Sequence, residues 1–164
     1  MSDSAADPDL DPKVRRVVEA GRALGLEVRP RTFEQETRTA QDAADAVGCD
    51  VSQIVKSLIF EAAGKPLLLL VSGANRVDLK RAAAAAGVGR LDKADATGVK
   101  ATTGFSIGAT PPFGHARPIA VLMDKDLLDH ERVWASGGRP DTVWPVDPRA
   151  LMEATQATVC DLGA

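Results

Sequence analysis

A chain of 164 residues, 45% hydrophobic and 26% charged, has the length and composition of one globular domain built on one core. Its net charge of −3 argues against a broad nonspecific nucleic-acid surface, which requires a strongly basic face, and leaves only a local basic patch open. No apolar run approaches the roughly 20 residues of a membrane-spanning helix, and the acidic start is unlike a secretory signal, so a cytoplasmic protein with no membrane partner is expected.

Residues 1–11, acidic and proline-containing, read as a disordered lead-in, and residues 12–164 as a single domain. Asp11-Pro12 forms an N-cap and first helical residue, and the spacing of Val14, Val17, Val18 and Leu24 before Gly25 predicts an amphipathic helix. Residues 26–33 read as a strand, restricted by Pro30 to an edge or an end. Thr39 caps a helix over 40–47 that Gly48 closes. The runs 54–61 and 66–72 form the clearest β-hairpin, both strands buried. Asp78 starts a helix over 79–86 that Gly87 stops, and a further helix is expected over 93–101. Strands follow at 117–123, 132–136, 142–146 and 158–162, with a helical turn over 124–128 and a helix capped by Asp147 through Ala154. Strands outnumber helices and the hairpins are local, so the class is α+β with a mixed, mostly antiparallel sheet.

Two stretches carry candidate chemistry. In Gln53-Ile54-Val55-Lys56-Ser57-Leu58-Ile59-Phe60, Lys56 and Ser57 are the only interior polar residues of a strand apolar on both parities. An unpaired buried ammonium is costly, so Lys56 must reach solvent, pair with a carboxylate, or line a cleft that receives an anion. Downstream, residues 102–114 hold no charge but three glycines and the Pro111-Pro112 pair, which shape a loop able to hold a small polar group by main chain alone. A phosphate-binding loop is not supported, because no Lys-Ser or Lys-Thr pair opens a helix there and a strand follows. With only His115 and His130, and with Cys49 and Cys160 in ordinary element-forming sequence, no metal site is suggested, and both cysteines are taken as reduced thiols. His115 could act as a base or an orienter, although a histidine beside a Gly-Pro turn is more often a surface residue. Trp134 and Trp144 read as core and Phe105 as undecided. Ser106 and Thr110 lack the flanking glycines of a serine-hydrolase elbow.

Taken together, the strand lysine Lys56, the G-x-x-x-P loop at Gly108 to Pro112 and the turn Ser136-Gly137-Gly138 resemble, in order, the marks of the YbaK/ProX family, relatives of the editing domain of bacterial prolyl-tRNA synthetase. The likeness runs from about Thr39 to Leu162. It implies a partly barrel-like mixed sheet flanked by helices, and an enzyme that hydrolyses misacylated tRNA in trans, removing a small residue such as Ala, Cys or Ser from tRNA(Pro) or a related tRNA, without metal or other cofactor. Lys56 and Gly108 are then the expected catalytic positions, and Ser57, Ile107, Ala109, Thr110, Pro111, Pro112, Ser136, Gly137 and Gly138 the substrate-binding ones. Phe33, Val47, Leu58 and Ile107 are candidate wall residues. Partners would be the acceptor end of misacylated tRNA and an aminoacyl-tRNA synthetase, with Arg76, Lys80, Arg81, Lys93 and Lys100 as a local basic patch. The competing class is a noncatalytic module of the same fold that captures aminoacyl-tRNA or a synthetase.

Overall fold

The computed structural model describes residues 10–164; the first nine residues of the expected lead-in lie outside them. Asp11 caps helix α1 (Pro12–Ala23), its carboxylate accepting the Lys13 N–H, and it also receives Arg139 Nη1 at 2.8 Å. That ion pair ties the start of α1 to the far end of the sequence. Val14, Val17, Val18 and Gly21 form the buried stripe of α1, the 3.6-residue pattern that the sequence displays.

The elements that follow are β1 (Arg31–Thr32), α2 (Ala40–Val47), β2 (Val55–Ala62), β3 (Lys65–Ser72), α3 (Leu79–Ala86), β4 (Leu91–Lys93) and α4 (Ala96–Thr103). After the loop come β5 (Ala120–Asp124), a 3₁₀ segment over Lys125–Asp129, β6 (Val133–Ser136), β7 (Thr142–Val146), α5 (Pro148–Thr155) and β8 (Thr158–Cys160). The class is α+β, as the sequence indicates. The expected strand over 26–33 shortens to β1, since Pro30 has no N–H to give a ladder. The expected helix over 93–101 starts later, at Ala96, because Asp95 caps it by accepting the Gly98 N–H at 2.7 Å and Leu91–Lys93 are drawn into β4.

Two sheets result, a five-stranded one in the order β4-β2-β3-β5-β8 and a three-stranded one in the order β1-β7-β6. In the first, β2 pairs antiparallel with β3 and β4, while β3–β5 and β5–β8 are parallel. β2 and β3 join through a two-residue turn, Ala63-Gly64, both at positive φ, the turn whose twist suits a tight hairpin. The central strand β3 is buried from Leu67 to Ser72; the unbroken Leu67–Val71 run reflects cover on both faces. A large core containing Val55, Ile59, Leu68, Leu70, Phe105 and Trp144 packs with α1 on one face, and a smaller one containing Phe60, Leu69, Val71 and Leu122 packs with α3 on the other.

The barrel-like expectation is corrected. The sheets touch through a single parallel bridge between Ile54 and Trp134 and then diverge, and β4 and β8 remain as outer strands of the larger sheet. The three-stranded sheet is held by its own β6–β7 hairpin and by packing of β6 beside β2, without a continuous ladder between the two sheets among the described residues.

Candidate functional site

Divergence of the sheets creates the site. β2 is paired with β3 along its whole length, but with β4 only from Phe60 onward, and among the described residues β6 bridges to the larger sheet's side only at Ile54. Between these points the edge of β2 borders a cavity of about 620 Å³. Residues 54–60, the N-terminal end of α2, Gly108 and Thr110 of the loop, and Trp134 to Ser136 of β6 line it. Alternation places Val55, Ser57 and Ile59 on one face of β2 and Lys56, Leu58 and Phe60 on the other; because the cavity runs along the strand edge, both Lys56 and Ser57 reach it.

Lys56 is half-buried and donates through Nζ to the Asn75 carbonyl. Asn75 is itself fixed: its Nδ2 donates to Asp124 at 2.8 Å and to Asp126 at 2.7 Å. Asp124, fully buried at the end of β5, also accepts the Ser72 N–H at 3.1 Å and the Asp126 N–H at 3.1 Å. Burial pushes the Lys56 pKa below the ordinary lysine value; the Asp124 carboxylate opposes that shift and Arg76 adds to it. The three possibilities left open for Lys56 thus combine, a lysine with a carboxylate behind it on the wall of a cleft. Asn75 and Asp124 were not foreseen. The available signal was an acid that directly follows the apolar run 119–123, where a buried strand end needs a satisfied partner.

Ser57 contributes differently. Its Oγ is buried and has no hydrogen-bond partner among the described residues, an arrangement that usually marks a group waiting for a ligand or carrying strain.

The loop is braced from within. The Ala109 N–H donates to the Ser106 carbonyl at 3.0 Å, which makes Ser106–Ala109 a turn with Gly108 at the third position and φ of 83°, the conformation that a type II turn asks of glycine. Thr110 Oγ1 donates to Ser106 O at 3.1 Å, and His115 Nε2 lies 2.7 Å from the Pro111 carbonyl, which accepts from it. Ile107 is lifted to the turn's tip, 54% exposed, and faces the cavity. His115 is therefore no free surface residue. It lines a separate recess of about 340 Å³ with Pro112 and Gly114, and burial lowers its pKa, helped by Arg16 and opposed by its bond to Pro111.

Of the positions named from sequence, Lys56, Ser57, Leu58, Ile107, Gly108, Thr110 and Ser136 come together around the cavity, whereas Ala109, Pro111, Pro112, Gly137, Gly138, Phe33 and Val47 do not line it. Ala109 and Pro111 are buried supports of the loop. A Cβ on Gly138 would stand 2.9 Å from the Lys13 carbonyl and 3.2 Å from the Phe105 ring, so this glycine lets the β6–β7 turn approach α1. Trp144 is core and its Nε1 donates to the Ser136 carbonyl at 3.0 Å, while Trp134, expected in the core, forms part of the cavity wall. Phe105 is fully buried beneath the loop, with the Arg16 guanidinium 5.0 Å from its ring centre.

The aminoacyl-tRNA editing domain family matches residues 34–154, the span that carries every cavity-lining element. The chain belongs to that family. A solved structure described as a candidate trans-editing enzyme for prolyl-tRNA synthetase superposes on this editing domain with a TM-score of 0.90 at 41% identity, covering 95% of this chain and 99% of that one. YwhH of Bacillus subtilis (strain 168), uncharacterized, is 30% identical over 74% of this chain and 77% of its own length. EbsC of Enterococcus faecalis (strain ATCC 700802 / V583), named as a candidate Cys-tRNA(Pro)/Cys-tRNA(Cys) deacylase, is 20% identical over 79% of this chain and 80% of its own. The family is one of editing domains that act on misacylated tRNA. No helix among the described residues is long and apolar enough to cross a membrane.

Proposed function

We propose that the chain is a trans-acting deacylase that removes a small amino acid, such as Ala, Cys or Ser, from misacylated tRNA(Pro) or a related tRNA. The observation that carries this reading is the convergence of Lys56, Ser57 and the Gly108 turn on one cavity in an editing-family fold. A volume of about 620 Å³ is in the range of small-molecule sites. It must hold a terminal adenosine and its aminoacyl group together, which leaves little space for a large side chain.

In hydrolysis of the ester a water oxygen bonds to the acyl carbon, the bond to the ribose oxygen breaks, and that oxygen leaves as a hydroxyl after taking a proton. The neighbouring ribose hydroxyl can orient the water, so position and charge are the protein's main contributions. Lys56, a compact charge on a flexible stem, holds the phosphate or hydroxyl region of the terminal nucleotide. Main-chain groups of Gly108 and Thr110 fix the aminoacyl end and the developing oxyanion. Ser57 supplies a hydroxyl to a substrate polar group. Hydrolysis after release from a synthetase is a useful second sieve, because a binding pocket separates side chains differing by one methylene only by roughly 10- to 200-fold.

The test is release of amino acid from a panel of tRNAs charged with small and large residues, alongside correctly charged controls. Preferential release of one small, mismatched residue is expected. Binding of aminoacyl-tRNA or a synthetase without release from any substrate would favour a noncatalytic module.

A further inference from the structure

The mouth of the cavity carries a charge pattern that these roles leave unused. Its lining includes four cations, Arg38, Lys56, Lys93 and Arg139, and no Asp or Glu, in a chain whose net charge is −3. Two of the four are engaged. Arg139 bonds Asp11 at 2.8 Å and Asp141 at 3.1 Å, and Lys56 is held by the Asn75 carbonyl with Asp124 nearby. Arg38 and Lys93 are exposed, and neither side chain takes part in a salt bridge or hydrogen bond among the described residues.

Their placement is also informative. Arg38 directly precedes Thr39, the N-cap of α2, and Thr39 and Ala40 line the cavity with it, so the positive end of that helix faces the same space. Lys93 ends β4 opposite Phe60, at the other end of the β2 edge from Ile54. At about 3.3 Å per residue the six-residue interval from Ile54 to Phe60 is roughly 20 Å, longer than a single nucleotide. Among the described residues, Leu79 and Ile107, 48% and 54% exposed, are two of the three large apolar side chains left exposed, and both belong to this lining. Free cations and exposed apolar side chains in one lining match a single-stranded nucleic acid, whose phosphates need charge and whose bases need apolar surface.

We propose that Arg38 and Lys93 are phosphate contacts for the single-stranded 3′ end of the RNA whose last residue enters the cavity. This rests on the editing reading and adds to it the residues that hold the acceptor end. The patch expected from sequence is revised accordingly: of Arg76, Lys80, Arg81, Lys93 and Lys100, only Lys93 lines the cavity. Arg81 is engaged by Asp78, Asp161 and the Gly163 carbonyl.

The experiment compares wild type with Arg38→Gln, Lys93→Gln, the double variant and a control, Lys65→Gln, at the start of β3 outside the cavity lining. Binding of an uncharged, 5′-labelled RNA oligonucleotide ending in CCA is measured by anisotropy across a salt series. Hydrolysis is measured in parallel on aminoacyl-tRNA and on phosphate-free aminoacyl-adenosine. Each cavity variant should weaken oligonucleotide binding roughly three- to tenfold at low salt and reduce the slope of log affinity against log salt by about 0.7. KM for aminoacyl-tRNA should rise with kcat retained, and aminoacyl-adenosine turnover and the control should be unchanged. An unaltered slope in the double variant would overturn the proposal, as would failure of wild type to bind the oligonucleotide or equal losses on aminoacyl-adenosine. Because the oligonucleotide carries no ester, binding through Arg38 and Lys93 without turnover of any substrate would refute the deacylase while retaining this inference.

Discussion

Replacing Ser57 by alanine should raise stability and lower activity at once. The Ser57 Oγ is buried without a hydrogen-bond partner among the described residues, and proteins typically lose about 1–3 kcal/mol when a polar group is buried unpaired. Ser57→Ala removes the hydroxyl and leaves the methylene that faces the large core between Val55 and Ile59. Allowing for incomplete relief, a gain of about 1 kcal/mol is expected, or about 2–4 °C in melting temperature for a chain of this size. With substrate bound, the hydroxyl has a partner, and its net contribution of about 0.5–1.5 kcal/mol corresponds to a two- to tenfold loss of kcat/KM in the variant. Calorimetric melting and steady-state deacylation of one misacylated tRNA measure both effects. A variant that melts lower than wild type, or one that melts higher with undiminished kcat/KM, would refute the view that this hydroxyl is kept for a ligand.

Other residues give independent tests. Asp124 raises the Lys56 pKa against burial, so Asp124→Asn should let it fall further, and Lys56-dependent deacylation should decline at lower pH than in wild type as pH rises; coincident pH profiles would remove Asp124 from that role. The same variant places an amide against the Ser72 and Asp126 N–H donors and should cost about 1–3 kcal/mol of stability, measured by urea unfolding. Gly108→Ala meets no atom within 4 Å but forces φ of 83° on a residue with a side chain, so a loss of about 1–2 kcal/mol in melting experiments is expected, with reduced turnover as the turn distorts; an unchanged melting temperature and rate would free the loop of that constraint. His115→Ala removes the brace on Pro111 and should reduce kcat by about fivefold, equivalent to one hydrogen bond. Since burial lowers the His115 pKa below 6.5, the unfolded chain binds the extra proton first, and wild type should lose stability relative to His115→Ala as pH falls from 6.5 through the lowered value.

Much of this architecture is local in origin, and those parts were legible in the sequence. Thr39 with Gly48 and Asp78 with Gly87 bracket α2 and α3 because caps and left-handed stops are decided within a few residues. The β2–β3 hairpin is equally readable from two apolar runs around Ala63-Gly64. β4 was missed because Leu91-Asp92-Lys93 carries no strand pattern of its own; its pairing with Phe60 to Ala62 is settled by the neighbouring strand. How far the partly barrel-like sheet closes was not legible, because one bridge at Ile54 joins the two sheets edge to edge among the described residues and strand order is a tertiary property. In the site, Lys56 and the Gly108 turn stood out as a lone charge and an unusual backbone. Asn75, Asp124, Arg38 and Trp134 did not, since each looks ordinary in its own segment and gains its place only when segments far apart in sequence meet along β2. Gly137 and Gly138 show the converse, a conspicuous pair whose space is taken up by Thr142 and α1.

The most direct test of the central claim is single-turnover release of a small amino acid from misacylated tRNA(Pro), with wild type and Lys56→Met compared under the same conditions. Loss of one charge-assisted contact of about 1.5–3 kcal/mol predicts a rate lower by roughly 10- to 150-fold in Lys56→Met, in a protein that remains folded because the ammonium is already disfavoured by burial. Equal rates for the two proteins would contradict the assignment of Lys56, and absence of release by wild type from every small-residue substrate would contradict the deacylase itself.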